Sequence, residues 1–213
     1  MKLTIFGATG TIGTHLVKKA LADGHQVTAF ARSPRALLAS PLSISHPNLT
    51  LYAGDVLNPA AVSDAIKGSD AVLVTLGSKK LSGDVRSAGS RNIVQAMELL
   101  QVKRLICQST LGAGDSWANL NLFWKTIMFG FILRRVFKDH ELQEDYVKHS
   151  DLDWTIVRPA AFTDKSLSDQ YKSGFPATEK NLKLKISRQD VARFMLLQLS
   201  DNAYLKQTPG LSY

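Results

Sequence analysis

The first thirteen residues constrain the fold more than any other stretch of this chain. Residues 3–6 form a short apolar run with β-branched members, which predicts a buried strand. The turn that follows is residues 7–13. Its candidate ligand contacts are Gly7, Thr9, Gly10, Thr11, Ile12 and Gly13. A glycine turn between a strand and a helix presents backbone N–H groups and the positive end of the helix dipole to an anion. The arrangement predicts a dinucleotide-binding turn, and the alternative is an ordinary glycine turn without a ligand.

The three glycines have separate expected roles in such a turn. Gly7 permits the tight turn, Gly10 allows the backbone to approach the phosphates, and Gly13 allows the helix to pack closely on the strand. The helix itself should bury one face, formed by Ile12, Leu16, Val17, Ala20 and Leu21.

The end of the second predicted strand, residues 26–31, bears on the choice of cofactor. An acidic residue at this position binds the ribose 2′-hydroxyl of NAD, whereas an arginine accommodates the 2′-phosphate of NADP. Arg32 stands at that position, and Arg35 lies in the first turn of the helix that follows. We therefore predict NADP(H) as the cofactor. The alternative is that both arginines are solvated loop residues.

Four further strands are predicted at residues 49–53, 71–76, 103–108 and 151–157. The carboxyl ends of parallel strands meet at the edge where open α/β sheets bind their ligands. Residues that follow these strands are therefore candidate ligand contacts: Asp55, Gly77, Ser109 and Thr110.

Six strands that alternate with helices predict an α/β fold, with a Rossmann-type doubly wound parallel sheet. A length of 213 residues favours a single domain over residues 1–213. The last helix is expected from Ser187, its cap, to Leu199. The tail after Asp201 should add a short edge strand.

Residues 117–137 are unusual because apolar and aromatic side chains dominate them. A membrane span needs about 20 mostly uncharged residues, and Lys125 stands in the middle of the run, so we reject a span. Three alternatives remain: a core helix, a substrate lid or subunit contact, and a membrane-surface helix. The loop at 160–181 has a length used for lids, so substrate-covering segments are predicted near 112–137 and 160–181.

Charge and cysteine content narrow the function classes. The formal net charge is +8, but no nucleic-acid-binding motif is present, so we attribute the charge to surface lysines and a pocket for a polyanion. The single cysteine, Cys107, and the lack of a recognisable signal peptide predict a cytoplasmic protein. No metal site is expected, because Glu144 stands where a zinc-protease helix starting at His140 needs its second histidine.

Several short motifs that span nearly the whole chain are shared with one family. They are Phe6-Gly-Ala-Thr-Gly10-x-x-Gly13, Gly54-Asp55-Val56-Leu57, Leu76-Gly77-Ser78, Arg91-Asn92-Ile93-Val94, Asp139-His140 and Ile186-Ser187-x-x-Asp190. With these motifs the chain resembles the atypical short-chain dehydrogenase/reductase proteins that carry an NAD(P)H-binding domain. It looks most similar to the group of biliverdin-IXβ reductase and flavin reductase.

The resemblance implies which residues hold the cofactor. The matching positions are Arg32 and Arg35 at the 2′-phosphate, Asp55 and Val56 at the adenine, Leu76, Gly77 and Ser78 at the ribose and pyrophosphate, and Ser109, Thr110, Pro159 and Ala160 at the nicotinamide. The same pattern puts His140 near the nicotinamide face, so Ser109, Thr110 and His140 are the candidate catalytic residues. Residues 112–136 are longer and more aromatic than in that group, which leaves the substrate open.

The larger branch of the superfamily uses a Tyr-x-x-x-Lys pair as acid and base, and no tyrosine of this chain has a lysine four residues later. A reductase without this acid should use acceptors that take hydride readily, such as flavins, bilins and quinones. The sequence thus predicts an NADPH-dependent oxidoreductase with a small-molecule conjugated acceptor. The alternative is a non-catalytic NADP-binding regulator or assembly factor, and an isomerase or epimerase ranks third. Nothing in these motifs indicates an oligomeric state.

Overall fold

The computed structural model describes residues 1–39, 44–77, 84–168 and 170–213. Its helices and strands, in chain order, are β1 (Lys2–Phe6), α1 (Gly13–Ala22), β2 (Gln26–Ala31), β3 (Leu49–Ala53), α2 (Pro59–Ile66), β4 (Ala71–Val74), α3 (Val85–Leu99), β5 (Arg104–Gln108), α4 (Arg134–Lys148), β6 (Asp153–Pro159), β7 (Ala161–Thr163), β8 (Lys172–Ser173), β9 (Lys185–Ser187), α5 (Arg188–Leu197) and β10 (Gly210–Ser212). Short 3₁₀ turns cover Pro34–Leu37 and Gly114–Asn119, and a π-helix covers Trp124–Ile132. The predicted site residue Ser78 lies outside the described residues.

Eight strands form one sheet in the order β3-β2-β1-β4-β5-β6-β10-β8. Neighbouring strands are parallel except β10 and β8, which pair antiparallel. The strands β7 and β9 form a separate parallel pair. The predicted α/β, doubly wound parallel sheet is confirmed. The order reverses between β1 and β4, and an open α/β sheet forms its ligand crevice at such a reversal.

Burial of the central strands explains this arrangement. All four residues of β4 are buried, and so are the last four residues of β1. The helices α1 and α5 contact each other over one core cluster, and α2, α3 and α4 pack over a second cluster. Strands covered by helices on both faces need such continuous apolar runs.

The structure corrects three expectations from the sequence about strands. The C-terminal strand β10 is not an edge strand, because it pairs with β6 on one side and β8 on the other. The segment 160–181, which was expected to be a loop, contributes β7 and β8. The strand β4 ends at Val74, two residues before the predicted Leu76.

The helix α1 approaches the preceding turn very closely. Its five predicted inner-face residues are all buried, as expected. A Cβ atom added to Gly13 would lie 2.1 Å from the carbonyl oxygen of Gly7, so a larger residue requires the backbone to move. Gly13 therefore sets the distance between the helix and the turn.

We expect Gly13→Ala to lower the free energy of unfolding by about 1–3 kcal/mol, the usual cost of overpacking. The matched control is Gly77→Ala, because a Cβ atom there would have no atom of the described residues within 4 Å. Its free energy of unfolding should stay within about 1 kcal/mol of the wild type. Urea denaturation without cofactor measures both variants. An unchanged midpoint for Gly13→Ala would contradict the close approach.

Candidate functional site

A cleft of about 680 Å³ lies at the carboxyl ends of the central strands. This volume is typical of sites for small molecules and cofactors. Most of the predicted site residues line it: Gly7, Thr9, Gly10, Thr11, Ile12, Arg32, Asp55, Val56, Leu76, Gly77, Ser109, Thr110, His140, Pro159 and Ala160. Residues from distant parts of the sequence are thus brought together as expected, while their individual roles stay predictions.

Two predicted residues, Gly13 and Arg35, are not among those that line the cleft. Gly13 is buried behind the turn, where it packs against Gly7. Arg35 is exposed on the 3₁₀ turn that follows β2, and the cleft lining includes Arg32 but not Arg35. Ser78 belongs to a segment outside the described residues. The structure therefore separates the two arginines that the sequence treats alike.

The glycine turn has the geometry of an anion cradle. Gly7 has a φ angle of 78°, and a Cβ atom there would lie 2.4 Å from the carbonyl oxygen of Thr75. The N–H of Gly10 donates to the carbonyl oxygen of Gly7 over 2.9 Å, which closes the turn. No side chain among the described residues caps the N-terminus of α1. An uncapped helix N-terminus at a glycine turn is suited to a phosphate group.

The loop after β3 also lines the cleft and is fixed by two hydrogen bonds. The Asp55 carboxylate accepts a hydrogen bond from the backbone N–H of Leu57 over 3.0 Å. The Asn92 side chain on α3 donates to the carbonyl oxygen of Val56 over 3.0 Å. The two motif positions Asp55 and Asn92 therefore hold the loop against which the adenine is predicted to lie.

His140 is a buried, neutral member of the site. Burial lowers its pKa to about 4, and the nearby charge of Arg86 acts in the same direction. The Gln143 side chain donates to Ser90 Oγ over 3.0 Å, so its Oε1 atom accepts from His140 Nδ1 at 3.2 Å. The other ring nitrogen, Nε2, has no hydrogen-bond partner among the described residues. His140 can therefore accept a hydrogen bond from a ligand at Nε2, and at neutral pH its one ring proton is on Nδ1, where it is donated to Gln143.

Asp139, the neighbour of His140, joins α4 to the start of α3. Its carboxylate accepts from the backbone N–H of Ser87 over 2.9 Å and from that of Arg86 over 3.2 Å. The Arg86 side chain is 3.4 Å from the same carboxylate, and its Nε atom is buried without a partner among the described residues. Asp139 thus caps α3 and holds Arg86 at the cleft.

Ser109 lines the cleft and has a buried, unsatisfied hydroxyl group. Its backbone N–H donates to the carbonyl oxygen of Val157 over 2.8 Å. Its Oγ atom is buried and has no partner among the described residues. Buried polar atoms are nearly always hydrogen-bonded, so this hydroxyl fits a site that a polar ligand atom completes. The next residue, Thr110, also lines the cleft.

One end of the cleft is apolar and is formed partly by the π-helix. Leu120, Trp124, Phe129, Leu133 and Val136 line it. The rings of Trp124 and Phe129 are 5.6 Å apart between centroids, and those of Phe129 and Phe137 are 4.8 Å apart. The described lining contains no tyrosine and no lysine. A planar apolar molecule would therefore find aromatic contacts here and few proton donors.

Only one face of this aromatic stretch is packed. Phe129 is buried, whereas Leu122, Phe123 and Phe131 are exposed to solvent. The core-helix alternative is therefore wrong for the outer side of the stretch. The cleft-facing side agrees with the lid alternative, which stays a prediction.

A buried ion pair supports the site from behind. Arg158 on β6 donates to Glu144 on α4 through Nε over 2.9 Å and through Nη2 over 2.7 Å. The two side chains are only 1% and 2% exposed. Asp115 accepts a further hydrogen bond from Arg158, and Lys148 lies 2.8 Å from Glu144. The pair joins the helix that carries His140 to the strand that ends at the cleft.

Several lining residues were missed from the sequence, among them Thr75, Arg86, Gln108, Phe162 and Leu184. Thr75 follows β4 at its carboxyl end, so the argument that found Ser109 could have found it as well. Arg86 had no comparable signal, because its position depends on Asp139, which is distant in sequence. Among the described residues, no group of three metal-ligating side chains could hold a metal ion.

The comparisons with known proteins agree with this geometry. The NAD(P)H-binding family model matches residues 7–202. The photosystem II assembly factor Ycf39 of Synechocystis is 22% identical over 98% of this chain, and the match spans only 61% of that relative's length. The chain therefore spans about three fifths of the length of this curated relative.

Solved structures show the same fold. A short-chain dehydrogenase/reductase from Veillonella parvula in complex with NADP superimposes with a TM-score of 0.83, at 20% identity over 100% of this chain and 94% of the other. The reductase ChuY from Escherichia coli, described as an anaerobilin reductase, has a TM-score of 0.77, at 22% identity over 99% of this chain and 96% of the other. The family match and the shared fold confirm the expected resemblance at the level of the family. By its matched residues 7–202, the chain belongs to the NAD(P)H-binding family.

Proposed function

We propose that this protein is an NADPH-dependent reductase whose acceptor is a planar conjugated molecule such as a flavin, a bilin or a quinone. The observation that carries the proposal is the apolar, aromatic part of the cleft, with no tyrosine or lysine in the described lining. Such a site offers stacking and exclusion of water but little general acid help, which suits acceptors that take hydride readily. We expect this small-molecule acceptor to be the binding partner and the protein to be cytoplasmic.

The residues of the cleft fit an NADPH molecule. The uncapped turn at Gly10 suits the pyrophosphate, and Arg32 at the end of β2 suits the 2′-phosphate. The orphaned Ser109 hydroxyl suits the carboxamide of the nicotinamide or the acceptor. The bound cofactor would supply the hydride.

The protein then contributes positioning and a dry surface. Trp124 and Phe129 provide the apolar wall on which an acceptor ring can rest. His140, neutral at pH 7, accepts a hydrogen bond through Nε2 and helps to orient a hydroxyl or amide group in the cleft. The proton that follows the hydride comes from water in this scheme.

The proposal is tested by NADPH oxidation with a panel of flavins, biliverdins and quinones. We expect turnover with at least one class and competition between acceptors of different classes, because they share the aromatic wall. Tight NADPH binding without oxidation across the whole panel would contradict the reductase proposal.

Ser109→Ala should slow turnover by roughly tenfold, because one neutral hydrogen bond contributes about 0.5–1.5 kcal/mol. Thr110→Ala should have a similar effect, and neither variant should abolish activity. Stopped-flow hydride transfer with the best acceptor, at saturating NADPH, measures this. A loss of a thousandfold or more with intact NADPH binding would show that Ser109 or Thr110 belongs to an acid–base pair.

The second candidate function is a non-catalytic, NADP-binding regulator or assembly factor. The match to the assembly factor Ycf39 over 98% of this chain favours it. The two candidates differ in one measurement, since both bind NADPH and only the reductase oxidises it. Inactivity over the full acceptor panel would therefore favour the regulator.

A further inference from the structure

The π-helix and its flanks carry an unusual exposed apolar surface. We call it the outer face, and it consists of Leu122, Phe123, Ile127, Phe131 and Ile132, all exposed. Phe131 is 85% exposed and Leu122 is 74% exposed, values that are high for side chains of this size. Single exposed apolar residues are common, but a contiguous patch marks an interaction surface.

The charges beside the outer face have one sign. Residues 116–138 contain Lys125, Arg134, Arg135 and Lys138 and no aspartate or glutamate. Arg134, Arg135 and Lys138 are exposed, and Lys125 is partly exposed. Within the part of the chain that the structure describes, none of these four cations forms an ion pair. The surface is therefore apolar at its centre and positive at its edge.

We propose that the outer face docks onto the surface of an anionic lipid bilayer. A helix that combines exposed large apolar residues with unpaired lysine and arginine lies in the plane of such an interface. Basic residues near an anionic surface are attracted to it, while phenylalanine and isoleucine enter the boundary between head groups and acyl chains. A second copy of this chain fits less well, because a symmetric contact would bring the same four cations together.

The packing of the segment supports this assignment. Its inner side chains Trp124 and Phe129 are fixed in an aromatic cluster with Trp117 and Phe137. The outer side chains are therefore held outward on a fixed helix and need no rearrangement to meet a flat surface. Within the described residues, every helix is too short or too polar to cross a bilayer, so docking would leave the protein on one side. The proposal does not depend on the reductase activity.

The test is co-sedimentation of the full chain with vesicles of phosphatidylcholine alone and of phosphatidylcholine with 30% phosphatidylglycerol, about the anionic content that gives a strong surface potential. The apolar variant is Ile127→Ser with Phe131→Ser, and the charge variant is Arg134→Gln with Arg135→Gln. The matched controls are Leu99→Ser, which removes a side chain that is 78% exposed on α3, and Lys67→Gln with Lys103→Gln. None of the substituted residues lines the cleft.

We expect binding to the anionic vesicles only, weakened by salt, and unchanged in the controls. The charge variant should bind roughly thirtyfold more weakly, since each basic residue near the surface contributes about 1 kcal/mol. The apolar variant should also lose binding while its melting temperature stays unchanged. Absence of binding, equal binding to neutral vesicles, or loss in the controls would overturn the proposal. Self-association that the apolar variant abolishes, without vesicle binding, would assign the outer face to a second copy instead.

Discussion

Replacing Glu144 with glutamine should lower the free energy of unfolding by about 3–5 kcal/mol, the largest effect that we expect from a single conservative change. Glu144 is the buried partner of Arg158, and the variant leaves that guanidinium with only the Asp115 carboxylate, which is 77% exposed. An unpaired charge in the interior costs far more than a lost surface contact. Urea denaturation without cofactor measures the change.

Two controls separate the buried pair from its surroundings. Lys148→Met removes the other cation beside the Glu144 carboxylate. Because the Lys148 side chain is 33% exposed, this change should lower the free energy of unfolding by at most about 1 kcal/mol. The double variant Glu144→Met with Arg158→Met should be more stable than Glu144→Gln, because no charge is left unpaired. A double variant less stable than the single one would contradict this account.

The same pair predicts a pH dependence. Burial opposes ionisation of Glu144, but the hydrogen bonds and charge of Arg158 outweigh it and hold its pKa below the ordinary 4.5. A carboxyl group with a lowered pKa in the folded state contributes stability above its unfolded pKa and loses it as the pH falls through the folded value. The difference in stability between wild type and Glu144→Gln should therefore be constant above about pH 5.5 and shrink at more acidic pH.

The second large effect concerns the choice of cofactor. We expect wild-type protein to bind NADPH more tightly than NADH, and Arg32→Ala to weaken NADPH binding by tenfold to roughly a hundredfold. A hydrogen bond to a charged group contributes about 1.5–3 kcal/mol, which corresponds to this range. Binding of NADH should change little in the variant, since it lacks the 2′-phosphate. Calorimetric titration of both cofactors measures the preference.

Arg35→Ala is the matched control for this prediction. Arg35 is exposed and is not among the residues that line the cleft, so its removal should change NADPH affinity by less than about threefold. Equal affinities for the two cofactors in wild type, or an intact preference in Arg32→Ala, would contradict the role of Arg32. A larger loss of NADPH affinity in Arg35→Ala than in Arg32→Ala would indicate that the 2′-phosphate binds at the 3₁₀ turn.

Much of the fold could be predicted because its signals are local. The central strands are continuous apolar runs, and the turn at Gly7 and Gly13 has the spacing that a strand–helix junction requires. Ser109 and Asp55 were found by position, since residues after parallel strands collect at one edge of the sheet. These inferences need only short-range pattern and the geometry of parallel strands.

The remaining features depend on tertiary contacts that the sequence pattern does not contain. Arg158 and Glu144 lie on different elements, and nothing in either segment indicates that they pair. The position of Arg86 depends on a cap from another helix. The aromatic stretch has a composition that suits a core as well as a surface, so only the structure separates Phe129 from Phe131. The placement of β10 inside the sheet likewise depends on where β8 folds back.

The π-helix at Trp124–Ile132 makes the protein sensitive to the deletion of a single residue in this segment. In this segment the N–H of Leu133 donates to the carbonyl oxygen of Met128, five residues earlier instead of four. Removal of a single codon here would allow ordinary α-helical bonding, and each residue of an α-helix turns by about 100°. Leu122 and Phe123 would then rotate around the axis relative to α4 with composition and charge almost unchanged. A one-residue deletion in the π-helix is therefore expected to change which side chains of residues 122–123 face solvent.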